Sequence, residues 1–139
     1  MKRTTPLFLL FLLAITFTAF AASKPTQADA IETFWQKFSA AVRSSNKNAV
    51  AALTRFPVGM SYRVRSIRSR AELTRRYRQV FNEQADAAKC FEKAQPEKDA
   101  QHPNEFTVAC PDAAGNEVVY HFKLTKMGWK FVALDNINE

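Results

Sequence analysis

The C-terminal part of the chain, from Gly115 to Asn138, alternates apolar and polar residues in two consecutive stretches, and this pattern constrains the fold more than any other feature. In the first stretch, one set of apolar side chains shares a single face of an extended strand: Val118, Tyr120, Phe122 and Leu124. A two-residue turn at Met127-Gly128 is expected between the stretches, because glycine readily adopts the positive φ that such turns need. The pattern therefore predicts a β-hairpin with one apolar face.

The predicted turn also determines which residues face each other across the hairpin. With Lys126 opposite Trp129, the expected pairs are Leu124 with Phe131, Phe122 with Ala133, Tyr120 with Asp135 and Val118 with Ile137. Asp135 would then be a carboxylate on the apolar face, next to the phenol of Tyr120.

Residues 1–21 have the features of a signal peptide. Lys2 and Arg3 precede the apolar run Leu7 to Phe20, and the small residues before position 22 suit a signal peptidase, so cleavage is expected after Ala21. The apolar run is shorter than the roughly 20 residues that a membrane span needs. The alternative is a retained N-terminal anchor. We expect a soluble, periplasmic or secreted protein with a single domain, residues 22–139.

The chain contains two cysteines, Cys90 and Cys110. In an oxidising compartment an isolated pair indicates a disulfide. This one would close a loop of about 20 residues, which in the chain-entropy model contributes about 3 kcal/mol of stability. A catalytic cysteine is the alternative, and the sequence offers no suitably placed histidine for it.

Positive charge is concentrated in one segment of a chain whose formal net charge is +7. Between Arg55 and Arg78 lie eight arginines and a single acidic residue, Glu72. The candidate binding residues are Arg63, Arg65, Arg68, Arg70, Arg75, Arg76 and Arg78. Guanidinium groups match carboxylates and phosphates, and such a concentration attracts anions. The alternative is a solvated basic surface that is partly paired with Glu72, Glu83 and Asp86.

Export argues against nucleic acid as the partner of these arginines. The anions that an exported protein meets are acidic proteins, lipid headgroups and wall polymers. We expect one of these as the partner.

The first half of the chain reads as helices around one strand. A helix is predicted from Thr26 to Val42, because apolar residues recur there every three or four positions. A short helix, Lys47 to Leu53, would be capped by Asn46. An edge strand is expected from Val58 to Arg65, with its arginines on the face opposite the apolar residues. Ser69 would then begin a third helix that ends near Asn82.

The second half reads as a four-stranded antiparallel meander. A strand is expected from Lys89 to Gln95, followed by a polar loop from Pro96 to Asn104 and another strand from Glu105 to Cys110. The disulfide would join these first two strands, and the C-terminal hairpin would supply the other two. The predicted fold class is α+β, with N-terminal helices packed on a curved antiparallel sheet of four to five strands.

This order of elements resembles the nuclear-transport-factor-two-like, or cystatin-like, superfamily of α+β cones. The resemblance is carried by Ile31–Phe38, by Asn46–Leu53 leading into Phe56-Pro57, and by Val118–Leu124 with Gly128-Trp129-Lys130-Phe131 and Asp135. It implies a sheet that wraps around the helices, often with a pocket in its concavity, and often dimerisation through the outer sheet face. It implies no single activity, because this fold hosts isomerases, dehydratases, immunity proteins and modules without catalysis.

The weak catalytic candidates are Asp135, Tyr120 and Tyr62, which would share the concave pocket. A desolvated carboxylate beside phenols is suited to proton abstraction next to a carbonyl. The structural alternative is an Asp135 bound to a tyrosine hydroxyl or to an arginine such as Arg70.

Neither a metal site nor a cofactor is expected. His102 and His121 are isolated from other ligand residues, and His121 would point away from the face that carries Asp135. With three glycines in the chain, no phosphate-binding loop is present. The outer hairpin face, with Val119, Val132 and Leu134, is a candidate homodimer surface.

Our leading hypothesis from the sequence is an exported, non-catalytic binding module that presents its arginines to an anionic partner. The alternatives are a small-molecule-binding protein or enzyme that uses the pocket around Asp135, and a periplasmic inhibitor or immunity protein.

Overall fold

A computed structural model describes residue 24 and residues 26–61 and 64–136. The predicted signal peptide and its cleavage site lie outside the described residues. The helical elements are α1 (Gln27–Arg43), α2 (Lys47–Ala52), α3 (Arg70–Arg75), a π-helical turn (Gln79–Glu83) and α4 (Ala87–Cys90). The strands are β1 (Thr54–Met60), β2 (Glu97–Lys98), β3 (Glu105–Pro111), β4 (Glu117–Thr125) and β5 (Gly128–Asn136). Among the described residues, no helix is both long and apolar enough to cross a membrane.

The predicted fold class is confirmed: helices pack on one sheet, whose strand order is β1-β5-β4-β3-β2. All neighbouring strands are antiparallel except β1 and β5, which are parallel, so the sheet is mixed and not purely antiparallel as expected. Parallel pairing is possible because most of the chain lies between these two strands, which leaves ample length for the crossover. The predicted edge position of β1 is confirmed.

The first helix forms as its sequence predicts. Thr26 caps it in a reciprocal capping box, in which the Thr26 hydroxyl accepts from the Asp29 backbone N–H and the Asp29 carboxylate accepts from the Thr26 backbone N–H. Its buried apolar face consists of Ile31, Phe34, Trp35, Phe38, Ala41 and Val42. Asn46 caps α2 by accepting from the Ala49 N–H at 3.0 Å, as expected.

The C-terminal hairpin exists, but its predicted register is wrong. The turn residues are Lys126 and Met127, and Gly128, with φ of +86°, already pairs with Thr125 at the start of β5. A bulge then adds Val132 to β5, because Phe122 pairs with Phe131 while His121 pairs with Ala133. The earlier turn and the added residue together change every expected pair.

The register places Tyr120 opposite Leu134 and Val119 opposite Asp135. Tyr120 and Leu134 are both buried. The sequence predicted Leu134 on the outer face of the hairpin, and this prediction is wrong because Leu134 belongs to the core. Asp135 is exposed and lies on the other face from Tyr120. Val118 pairs with Asn136, so its predicted pairing with Ile137 is also wrong.

The strand predicted from Lys89 to Gln95 is wrong, because this region begins with α4. The side chain of Asp86 caps α4 by accepting from the Lys89 N–H at 3.2 Å, and two alanines, which favour helix, follow it. The first meander strand is instead β2, which lies in the stretch predicted to be a loop. The disulfide between Cys90 and Cys110 therefore joins α4 to β3 and not two strands.

The strand predicted to reach Arg65 ends at Met60. Buried Ser61 follows it, and its hydroxyl contacts the Leu134 carbonyl at 3.4 Å and accepts from the Asn136 N–H at 2.8 Å. The chain then returns, and Ile67 exchanges two backbone hydrogen bonds with Val58. Tyr62 and Arg63 lie outside the described residues.

The predicted third helix is divided into α3 and the π-helical turn. Ser69 caps α3 as expected, accepting from the Glu72 N–H at 3.2 Å. The residues expected on its buried face are buried: Leu73, Tyr77, Val80 and Phe81.

Candidate functional site

The predicted catalytic group of Tyr120 and Asp135 is not assembled, because the two side chains lie on opposite faces of the sheet. Tyr120 is fully buried, and its hydroxyl donates to the Val80 carbonyl at 3.1 Å. Burial raises the pKa of Tyr120 above its usual value. This phenol is therefore a structural contact between the sheet and the π-helical turn.

Aromatic side chains fill the space in which the sequence predicted a pocket. Phe38 of α1 packs edge-on against Phe122, with ring centroids 5.0 Å apart, and its ring lies 5.6 Å from that of Phe131. Trp35 packs edge-on against Phe91 at 4.7 Å. All five rings are buried. The interior between helices and sheet is thus a packed aromatic core.

Asp135 instead approaches a histidine on the outer face, where its Oδ2 atom lies 3.1 Å from Nε2 of His121. The nitrogen is buried and has no aligned hydrogen-bond partner among the described residues, so the two side chains are close without an aligned hydrogen bond. The expectation that no such pair exists is wrong, because the bulge at Val132 was not anticipated. Among the residues that the structure describes, Asp135 is bound neither to a tyrosine nor to Arg70.

His102 has an acidic neighbour in its loop: its Nδ1 atom lies 2.8 Å from Oδ2 of Asp99. Both side chains are largely exposed. Within the described part of the chain, no three or more histidine, cysteine or acidic side chains are grouped so that they could hold a metal ion.

The candidate binding arginines that the structure describes lie in a loop and in or just after a helix, not on a strand and a helix as predicted; Arg55, which belongs to β1, is not among these candidates. Arg65 and Arg68 lie in the loop before α3, Arg70 and Arg75 belong to α3, and Arg78 follows it. All five are exposed. We call these five side chains the arginine surface.

Arg76 differs from the arginine surface because its charge is already paired. Its Nη1 atom contacts Oε1 of Glu72 at 3.0 Å and its Nε atom donates to Gln79 at 2.7 Å. The other carboxylate oxygen of Glu72 accepts the Arg68 backbone N–H at 2.8 Å. The Arg68 N–H and then the Arg76 guanidinium hold the pKa of Glu72 below its usual value.

The single acidic residue of the segment is therefore occupied, and the arginine surface is left without an acidic partner. Among the described residues, no member of that surface makes a salt bridge; neither Glu83 nor Asp86 pairs with it. Residues 64–78 contain six arginines and one glutamate, a net charge of +5.

Tyr77 holds the helical part of the arginine surface on the core. Its hydroxyl donates to the Val42 carbonyl at the end of α1, at 3.3 Å, and the ammonium of Lys47 lies 5.5 Å from the centre of its ring. Burial raises the pKa of Tyr77 to about 12. The helix that carries Arg75 thus has a fixed position relative to α1 and α2.

Among the clefts on the described surface are two that the arginine surface does not line. One, of about 740 Å³, lies beside the disulfide, and side chains of both charges line it, among them Asp86, Lys89, Glu92 and Asp112. The other, of about 620 Å³, lies at the tip of the β4–β5 hairpin. Sequence reasoning missed the hairpin-tip cleft, although Lys126 and Met127 at the turn were a visible signal.

No protein-family model matches the sequence, and neither does any curated protein. Among solved structures, the chain is similar to a nuclear-transport-factor-two-like protein with a cystatin-like fold from Novosphingobium aromaticivorans (12% identity, TM-score 0.43, 79% of this chain and 80% of that one). It is also similar to a cystatin-like domain of unknown function from Nostoc punctiforme (14%, 0.47, 84% and 80%). A third is a protein provisionally named a ketosteroid isomerase from Shewanella frigidimarina (10%, 0.43, 78% and 95%). These similarities concern the fold type and carry no argument about activity.

Proposed function

We propose that the protein is an exported, non-catalytic binding module whose arginine surface holds an anionic partner. One observation carries this proposal: five exposed arginines fall within the stretch from Arg65 to Arg78, whose only acidic residue, Glu72, is already bound to Arg76 and to the Arg68 backbone N–H. Their charge is available to a second molecule.

The physical basis is a concentrated and well-positioned charge. Several like charges on one surface repel each other, and an anion that binds among them relieves this repulsion. Guanidinium groups can donate two parallel hydrogen bonds to a carboxylate or a phosphate. Because Tyr77 and the Glu72–Arg76 pair fix the backbone, less ordering is needed on binding.

The carboxylates of an acidic protein, lipid headgroups and wall polymers share this chemistry. An inhibitor or immunity protein that covers the acidic cleft of another protein is one form of the same proposal. Export rests on the sequence of residues 1–21, and the Cys90–Cys110 disulfide is consistent with an oxidising compartment.

Native mass spectrometry of the protein purified from its own compartment tests this function. The binding variant combines Arg65→Glu, Arg68→Glu and Arg75→Glu, whose side chains make no hydrogen bond or salt bridge with described residues. The control combines Lys37→Glu, Lys89→Glu and Lys93→Glu, which reverses the same number of exposed charges elsewhere. We expect a bound anionic partner with the wild type and the control but not with the binding variant. The same partner at the same occupancy on all three proteins would contradict the proposal.

A further inference from the structure

The hairpin-tip cleft lies between the start of β1 and the turn that joins β4 to β5. Its lining residues are Thr54, Arg55, Leu124, Thr125, Lys126, Met127 and Lys130. Three of these are basic and none is acidic. It is separate from the arginine surface, so an inference about it does not rest on the proposed function.

The cleft combines those cations with exposed apolar side chains. Met127 is 82% exposed and Leu124 is 39% exposed, and these are the two exposed large hydrophobic residues of the described chain. An isolated exposed apolar residue is ordinary in a folded protein. Here both lie in one cleft, at the apex of a hairpin, with basic residues around them.

The basic side chains of the cleft are not paired with acidic side chains among the described residues. Arg55 and Lys126 are exposed and make no salt bridge with any described residue. Lys130 donates to the Ala52 carbonyl at the end of α2, at 2.8 Å. Glu105, on the strand beyond β4, is bound by Lys123. The hairpin tip therefore presents positive charge next to apolar surface.

The turn that displays Met127 is fixed by its own hydrogen bonds. The Thr125 hydroxyl donates to the Gly128 carbonyl at 2.8 Å and accepts from the Met127 N–H at 3.1 Å. Gly128 supplies the positive φ that ends the turn. Little ordering is thus needed before the tip makes contact with a partner.

We propose that the hairpin tip docks on a bilayer that contains anionic phospholipid. Met127, which protrudes at the apex, enters the boundary between headgroups and acyl chains together with part of Leu124. Arg55 and Lys126 lie at the level of the headgroup phosphates, and Lys130 adds its charge behind them. A basic rim around an exposed, flexible thioether matches the chemistry of that interface, which is apolar below and anionic above.

The direct test is co-flotation of the purified protein, residues 22–139, with vesicles. One set of vesicles contains equal parts of phosphatidylglycerol and phosphatidylcholine, and the other contains phosphatidylcholine alone. One variant, Met127→Asp, removes the apolar side chain at the apex. The other, called the basic variant, replaces two basic side chains of the cleft by combining Arg55→Gln with Lys126→Gln. The matched control combines Lys89→Gln with Lys93→Gln, which removes two exposed charges from the other cleft.

We expect binding only to the anionic vesicles. Because each basic residue near an anionic surface contributes roughly a fivefold factor, partitioning of the basic variant should fall by roughly twentyfold and that of its control by less than about threefold. Met127→Asp should also lose binding. No binding by the wild type, or equal losses in the basic variant and its control, would overturn the proposal.

A second measurement follows insertion itself. Trp35 and Trp129 are buried, so tryptophan emission of the wild type should change little on binding. In the Met127→Trp variant we expect a blue shift with anionic vesicles. An unshifted spectrum in a vesicle-bound sample would contradict insertion. Saturable binding of dissolved dodecyl phosphate or polyglutamate, without vesicle binding, would show that the site takes a soluble anion and would also overturn the bilayer proposal.

Discussion

The Nε2 atom of His121 lies 3.1 Å from the Oδ2 atom of Asp135, on the face of the sheet opposite the buried ring of Tyr120. This contact exists because Val132 adds one residue to β5 and brings Ala133 opposite His121. It places the Asp135 carboxylate on the side of the sheet away from the aromatic interior. Asp135, the residue predicted for acid–base chemistry, is therefore a surface residue that is not in contact with Tyr120.

Asp135→Asn should change stability much less than Tyr120→Phe does. Asp135 is 55% exposed, and at such an exposed position even a fully charged pair contributes only about 0–1 kcal/mol. Tyr120→Phe leaves the buried Val80 carbonyl without its donor, which costs about 1–3 kcal/mol. Urea unfolding of both variants measures this difference. A larger loss for Asp135→Asn would place that carboxylate in the core and contradict the register.

Deleting Val132 should leave a cooperatively folded protein. Without it, Phe131 and Leu134 still face inward in simple alternation and Asp135 still faces outward. Deleting Lys123 from β4 is the comparison, because that deletion moves one side of the strand to the wrong face. Near-ultraviolet circular dichroism and thermal unfolding distinguish the two outcomes. Loss of the fold in the Val132 deletion, with a cooperative transition in the Lys123 deletion, would reject the bulge.

Removing the disulfide should lower the free energy of unfolding by about 3 kcal/mol, because the unfolded chain gains the freedom of a loop of about 20 residues. The double variant Cys90→Ser and Cys110→Ser measures this in urea. Urea unfolding of the wild-type protein with a reducing agent is the second form of the experiment. It should show the same loss of unfolding free energy as the double variant. Unchanged stability in both forms would contradict a structural bridge.

Stability should fall as the pH rises above 10. The pKa of Tyr77 is about 12 in the folded protein and 10.0 as its reference value, so between these values the unfolded state binds fewer protons than the folded state. The tyrosine's contribution is complete below pH 10 and is lost as the pH rises towards 12. Tyr120, whose pKa is also raised by burial, acts with the same sign. Urea midpoints across this range should decline less steeply in Tyr77→Phe, and an equal slope would contradict the assignment.

The sequence predicted helices and faces well, because these depend on local periodicity. The buried stripe of α1, the Asn46 and Ser69 caps and the cysteine pair are all present. The inward face of β4 is likewise confirmed at Tyr120 and Phe122.

The register was not predictable from the same pattern. Alternation shows which residues share a face, but a bulge adds one residue without a distinctive local signal, and the packing of Phe131 and Leu134 against the core decides where it lies. The strand predicted from Lys89 to Gln95 failed for a different reason, since the Asp86 cap and the two alanines after it begin a helix that includes Lys89 and Cys90. The salt bridge between Glu72 and Arg76 is expected from their spacing of four residues. The three-dimensional contacts were needed to show that the other arginines then have no acidic partner among the described residues.

The central claim is that the arginine surface binds anions as a site and not merely as part of a basic protein. The most direct measurement is titration with polyglutamate and with polyphosphate, comparing wild type with the combination of Arg65→Gln, Arg68→Gln and Arg75→Gln. The control combines Lys37→Gln, Lys89→Gln and Lys93→Gln and has the same net charge. Because hydrogen bonds to charged groups contribute about 1.5–3 kcal/mol each, we predict at least a roughly tenfold loss of affinity for one polyanion in the arginine variant and less than about threefold in the control. Equal losses in the two variants, or no binding of either polyanion by the wild type, would contradict the account.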